Sequence, residues 1–456
     1  MEIIAQDCQA YSWAWVEESV AGTIAVWDGC APEWNEGVVL ATLERCGLPH
    51  YELEEQQRRE AAYDEAMLAV ERELKTAPLT STEQLRTQER VTAAFARFSA
   101  AALDLDGEAV ELLTNDFLPV GTGLARWART FDPGLSMADI IQACRNAWTA
   151  CGMQPLLGEK VRLTLSVLGY SLLYPYSDNY LDRVDISAEH KMRFSRHFRG
   201  LLRGELVPVR DFTEEALLSL IELIEGEYPR LQYPQVFECL LAIHRAQEES
   251  ICQLDGEASY SAAQILQMSC AKGGTSVLAD ACLARGSLTE QESGFAFQWG
   301  VLLQLGDDLQ DVKDDVRRGS ATLFSRAAEL GEPLDALVIQ LLNFSDRVAA
   351  RMDELPHGST GLKELLRMSW RSLILRAVGD SHEYFSPGFL ELVEPASPFR
   401  FSFLRSRNER LTSQQGLYAT LFQAFLERSK DTAYISGPPD HRESGLDGIR
   451  LTRRFQ

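Results

Sequence analysis

Four stretches of this chain carry apolar residues three and four positions apart: "YDEAMLAVERELK" (63–75), "EEALLSLIELIE" (214–225), "YPQVFECLLAIHRAQEESICQL" (233–254) and "LKELLRMSWRSLILRAV" (362–378). That spacing puts one apolar stripe along a helix, and a chain full of such stripes must pack helix on helix. Runs alternating apolar and polar residues between turn signals are scarce, so no large sheet is expected. The chain reads as all-α, a large helical bundle. Breaks at "KTAPLTSTEQ" (75–84) and "ELPHGSTG" (354–361) divide it into an N-terminal helical extension (1–85), a main bundle (86–353) and a C-terminal helical region (354–435). The last stretch (436–456) is polar and rich in Gly and Pro, so a mobile tail is expected there.

With 45% hydrophobic residues the chain can bury a sizeable core, and its net charge of −23 argues against a nucleic-acid partner, which needs clustered Lys and Arg. The start, "MEIIAQDCQAYSW", lacks the basic and apolar regions of a signal peptide. No apolar run approaches ~20 residues, so no integral membrane segment is expected. Nine cysteines without a CxxC pair read as reduced thiols of a cytoplasmic protein. The seven histidines show no zinc-like spacing.

Against this plain background, "QLGDDLQDVKDDVRRG" (304–319) places Asp307, Asp308, Asp311, Asp314 and Asp315 directly after the apolar "FAFQWGVLL". On a helix Asp307, Asp311 and Asp314 share a stripe, flanked by Asp308 and Asp315. Like charges so spaced cost a few tenths of a kcal/mol per pair in water, and more where the face is partly buried. Bound Mg²⁺ would remove that cost. A second stripe, Asp178, Asp182 and Asp185, ends another apolar segment, "VRLTLSVLGYSLLY", in which Pro175 should bend or loosen the helix. Two such helix ends facing each other would make a carboxylate-lined mouth above an apolar interior, suited to a diphosphate with a hydrocarbon tail. A di-iron bundle would need Glu-x-x-His, and the one match, Glu354 to His357, contains Pro356. An EF-hand would need Gly and Glu at loop positions that "DNYLDRVDISAE" and "DLDGEAVELLTN" do not both supply.

The second acidic run resembles the second aspartate-rich motif of class I isoprenoid synthases. Gln304, Asp307, Asp308 and Asp311 match the Q-x-x-D-D-x-x-D pattern of trans-polyprenyl diphosphate synthases. Leu309, Asp311, Val312, Asp315 and Gly319 match the squalene and phytoene synthase pattern, with Gln310, Asp314 and Ser320 departing from it. "SDNYLDRVDISAEHK" is similar to the first aspartate-rich motif, with Asp178 and Asp182 in the ligand positions. "AKGGTSVLADACLARG" (271–286) is similar to the segment whose lysine touches the diphosphate, here Lys272. The resemblance spans roughly residues 155–325. It implies a helical bundle of the isoprenoid synthase type with helical extensions at both ends. It also implies about three Mg²⁺ ions held by Asp178, Asp182, Asp307, Asp308, Asp311 and Asp315, and ionisation of a prenyl diphosphate with Asp307, Asp311 and Asp178 at the catalytic centre. Gln304, Lys272, Arg317 and Arg318 are expected on the substrate, the two arginines equally as helix C-terminal cations. Phe297 is expected to offer a π face to a carbocation, as are Phe295 and Trp299, with plain core packing the alternative for each. Gly300 is expected to leave room for the hydrocarbon chain.

Chain elongation needs a second basic pocket for isopentenyl diphosphate, and the G-G-K-R-x-R-P and R-R-G-x-P-T segments that supply it are absent. The expectation is therefore a Mg-dependent, terpene-synthase-like enzyme that cyclises or quenches one allylic substrate. A prenyltransferase, elongating or head-to-head, is the alternative, because the N-D-x-x-S-x-x-x-E motif of bacterial cyclases is also missing. A non-catalytic helical scaffold is the third reading, and a homodimer is compatible with all of them.

Overall fold

A computed structural model describes residues 13–33, 35–75, 81–103, 105–183, 185–251 and 260–408. Eighteen α-helices and no strand occur among them, so the fold is all-α. The expected mobile tail, 436–456, lies outside the described residues, as does the side chain of Asp182.

In chain order the helices are α1 (Ala14–Asp28), α2 (Glu36–Arg45), α3 (Leu53–Lys75), α4 (Ser81–Leu103), α5 (Gly107–Glu111) and α6 (Leu118–Phe131). Next come α7 (Met137–Leu156), α8 (Leu165–Asp182), α9 (Ala188–Arg203), α10 (Phe212–Glu227), α11 (Pro234–Ile251) and α12 (Ala262–Arg285). The last six are α13 (Glu290–Gln310), α14 (Val312–Arg318), α15 (Leu323–Glu329), α16 (Asp335–Asp353), α17 (Thr360–Asp380) and α18 (Pro387–Val393). Both expected breaks fall at helix ends, after Lys75 and between Asp353 and Thr360.

The helices around the acidic residues begin at reciprocal caps. Ser136 and Asp139 open α7, Ser261 and Gln264 open α12, and Thr289 and Glu292 open α13. In each, two backbone N–H groups that the first turn would orphan find side-chain acceptors. Gly286, at φ +89°, then stops α12 in the left-handed region that favours glycine.

Helix α12 is the axis of the bundle. Nearly every side chain from Ser269 to Ala284 is buried, because other helices surround it on several sides. It packs against α1, α7, α8, α11 and α13. Helix α13 crosses it so closely that a Cβ on Gly273 would lie 2.6 Å from the Gly300 carbonyl oxygen. Gly300→Ala is therefore expected to lower stability by about 1–3 kcal/mol through overpacking. Gly22→Ala, on α1 with open space around it, should instead gain about 0.5–1 kcal/mol. Denaturant midpoints of the two variants check this pair.

Three pairings fix directions. Ser269 meets Asp308 while Arg285 meets Glu292 at 2.7 Å, so α12 and α13 run antiparallel. Ser166 donates to the Leu283 carbonyl and Tyr170 to that of Ser276, so α8 also opposes α12. Arg145 reaches Asp307 while Gly152 sits under Trp299, so α7 opposes α13. The C-terminal ends of α8 and α13 thus lie at the same end of the bundle, and both acidic runs with them.

The expected N-terminal extension does not form a core of its own. Val16, Val20 and Trp27 of α1 belong to the same buried cluster as α12 and α13. Helix α3 also meets the segment that follows α18: Arg400 donates to Glu60 at 2.6–3.1 Å, and Gln56 donates to the carbonyls of Glu394 and Ser397.

Candidate active site

Helix α13 is mostly apolar from Phe295 to Leu305, with Gln298 and Gln304 the exceptions, then acidic within one turn. Asp311 ends it and leads into α14, but the hydrogen-bond ladder carries on, from the Asp311 N–H to the Asp307 carbonyl and from the Asp315 N–H to the Asp311 carbonyl, both 2.9 Å. The acidic stripe therefore survives the junction.

Its members have different surroundings. Asp307 is half-buried and accepts from Arg145 of α7 at 3.2 Å. Desolvation raises its carboxyl above the usual range, Arg145 and Lys272 pull it back, and Asp311 pushes it up. Asp308 is buried, with Gln304 Nε2 donating to one oxygen at 2.7 Å and Ser269 Oγ to the other at 3.0 Å. Desolvation outweighs both bonds and raises it to about 7. Asp311 is raised by desolvation and by Asp314. Asp315 is raised to about 6 by desolvation and by Asp311. Arg318 lowers both through its charge. Arg317 pairs with Asp314 at 3.0 Å, its side chain 74% exposed.

Asp178, on the last turns of α8, is buried beside Ser177 Oγ at 3.2 Å. Pro175 sits inside α8, which continues as a helix past it to Asp182. Asp185 lies beyond the helix, exposed and paired with Arg183. Helix α7 connects the two acidic ends. Asn179 donates to its Asp139 at 2.7 Å, and its Arg145 reaches Asp307. Those two α7 residues are separated by about 9 Å of helix.

The structure thus brings Asp178, Asp307, Asp311, Asp315, Lys272 and Arg318 to one end of the bundle. Asp308, expected on metal, accepts from Gln304, expected on substrate, and from Ser269 between α12 and α13. Two expectations need correction. Gly300, expected to leave room for a chain, is where the α12 and α13 backbones meet. Phe297, expected to face a carbocation, is buried with its ring over Gly274, while Phe295 stacks on Trp299, which meets Trp370 edge-on. Helix α13 turns these rings into the core because it is pressed against α12 on one side and α17 on another. Arg145 and Ser269 escaped the sequence reading: "QACRNAW" and "QMSCAK" are unremarkable helix until packing places them.

Among the described residues, no three acidic, cysteine or histidine side chains converge closely enough to hold a metal ion alone. Mg²⁺ does not require three. It takes one or two carboxylates and completes its shell with water and substrate phosphate. Asp307 and Asp311, one turn apart with each other's charge to relieve, fit that donor set. No family model, curated protein or solved structure matches the chain.

Proposed function

We propose that this protein is a Mg²⁺-dependent, class I terpene-synthase-like enzyme that ionises an allylic prenyl diphosphate and cyclises or quenches the carbocation. One observation carries the reading: two acidic helix ends lie at the same end of an apolar bundle, with Arg145, Lys272 and Arg318 within electrostatic reach of the second. A solvated acidic face would not need to be half-buried.

In this reading Asp307 and Asp311 hold the metal from the end of α13, and Asp178 lies on α8 at the same end of the bundle. Bound Mg²⁺ supplies the Lewis acidity that lets diphosphate leave with both electrons of the allylic C–O bond. Lys272 and Arg318 bind diphosphate oxygens through charge-assisted hydrogen bonds. Arg145 orients Asp307 and adds a third positive charge. The apolar helices below keep bulk water from the cation. The helices suit a protein that works outside the bilayer, since none described is long and apolar enough to cross a membrane.

The test is turnover. Purified protein with Mg²⁺ receives geranyl, farnesyl and geranylgeranyl diphosphates, with and without isopentenyl diphosphate. The expected result is diphosphate release and an organic-phase product from one allylic substrate alone. Longer diphosphates formed only with isopentenyl diphosphate, or a dimeric hydrocarbon, would move the protein to the prenyltransferases. No release from any substrate would leave a helical scaffold.

A further inference from the structure

Two of the chain's seven histidines, His197 and His244, are 4% and 2% exposed, and both lie in the contacts that hold α9. Helix α9 packs against α10 and α11. His197, on α9, meets α10: its Nε2 lies 3.7 Å from Glu214 Oε2, beyond hydrogen-bond reach. Neither of its ring nitrogens has a hydrogen-bond partner among the described residues. His244, on α11, meets α9: its Nε2 lies 3.1 Å from the Ser195 carbonyl oxygen and 3.2 Å from Ser195 Oγ, with the Phe198 ring edge-on to it. Its Nδ1 has no partner among the described residues.

These bonds decide what a second proton would do. The Ser195 carbonyl only accepts, so neutral His244 carries its proton on Nε2 and leaves Nδ1 bare. A proton added at Nδ1 finds no acceptor, and one added to His197 finds none either. The neighbouring carboxylates are already engaged. Glu248 Oε1, 3.6 Å from His244 Nε2, accepts from Arg199 at 2.7 Å and from Ser195 Oγ. Glu214 Oε2 accepts from the Arg210 backbone N–H at 2.8 Å, and the Arg210 guanidinium lies 3.9 Å from Oε1. Each imidazole thus faces one carboxylate and one arginine, with Asp211 a second acid near His197. Buried polar groups in folded proteins are almost always hydrogen-bonded, so the charged imidazoles do not fit the packing that the neutral ones accept.

We propose that α9 is an acid-sensitive clasp: protonation of His197 and His244 releases it from α10 and α11. Desolvation, the largest influence on both, holds each imidazole below the ordinary 6.5. What the neutral imidazoles contribute is therefore fully present above about pH 6.5, and it is lost as the pH falls below that toward the folded-state values. Release reaches the acidic end through one contact. Phe194 of α9 stacks on Tyr180 of α8 at 4.2 Å, and Tyr180 stands between Asp178 and Asp182 in the sequence. Opening α9 strips that packing from the helix end that carries the first acidic run. An effect on diphosphate binding rests on the reading of that end as its site; the clasp itself does not.

The experiment is hydrogen exchange of the full chain, read by mass spectrometry at about pH 7.5 and about pH 5.5, with each rate divided by the intrinsic rate at that pH. Peptides from α9 are expected to lose protection by about tenfold or more, since one histidine kept neutral a unit below its ordinary value is worth a factor of about ten. Peptides from α17, which contains no histidine, are expected to hold theirs. The double variant His197→Leu with His244→Gln, whose Gln keeps a donor for the Ser195 carbonyl, is expected to protect α9 equally at both pH values. If that variant does not fold, the wild-type comparison of α9 with α17 still decides. Wild-type protection of α9 that is unchanged or higher at the lower pH overturns the proposal, as does an equal loss in α17 or in the double variant. No metal or substrate enters the measurement, so its failure leaves the diphosphate site to its own test.

Discussion

Asp307→Ala is expected to cut diphosphate release by about 10²–10³-fold while leaving the melting temperature unchanged or slightly higher. The side chain is half-buried at the bundle end, and its bond to Arg145 is a partly exposed ion pair of the kind that adds about 0–1 kcal/mol. Removing it also relieves its repulsion with Asp311. The neighbouring Asp308→Ala should behave in the opposite way. Asp308 is buried with both oxygens occupied, and its loss strands Ser269 and Gln304 between α12 and α13. Leaving each unpaired costs about 1–3 kcal/mol, so this variant loses stability first and activity only in consequence. Parallel thermal melts and diphosphate-release rates separate the two. If Asp308→Ala were inactive yet as stable as the wild type, the division of roles between the adjacent aspartates would be wrong.

The second large effect concerns Asp280 and pH. Desolvation raises its carboxyl well above the ordinary 3.8 of an aspartic acid. The folded protein therefore keeps a proton that the unfolded chain releases once the pH passes about 4. The associated stability is fully present below that pH and is lost as pH rises toward the folded-state value. The loss is about 1.4 kcal/mol per pH unit within the window. Cys151, raised to about 12, and Tyr170, raised well above 10, both chiefly by desolvation, stay neutral across that window. Asp280→Leu abolishes the dependence. Its melting temperature should match or modestly exceed the wild type's near pH 4, and the gap should widen as the pH rises above 4. A constant gap across that range would mean that Asp280 is ionised in the folded protein.

Much of the architecture could be read from residue spacing alone, because helix periodicity and breaks are local properties. The acidic runs were visible as helix ends for the same reason: apolar residues stop and aspartates begin within one turn at Gly306 and at Asp178. Long-range packing was not visible. Whether Gly300 opens a space or admits a backbone depends on Gly273 of α12 opposite it. Phe297 looked equally suited to a pocket and a core until Gly274 was placed beneath it. Asp308 and Asp307 differ by one position and a rotation of about 100°, which turns one into α12 and leaves the other at the mouth. Arg145 lies 162 residues from the aspartate it binds, and Glu60 lies 340 from Arg400. No local pattern announces either pair. Asp280, in "VLADACLAR", read as an ordinary polar position until its burial set it apart.

The central claim, that the acidic end binds a metal-diphosphate pair, is tested most directly by melting the wild type with Mg²⁺, with inorganic diphosphate, and with both. A ligand at a hundred times its Kd adds about 2.7 kcal/mol. The account predicts a rise of a few degrees that needs both components and disappears in Asp307→Ala. No rise with both present, or an equal rise in Asp307→Ala, would contradict it.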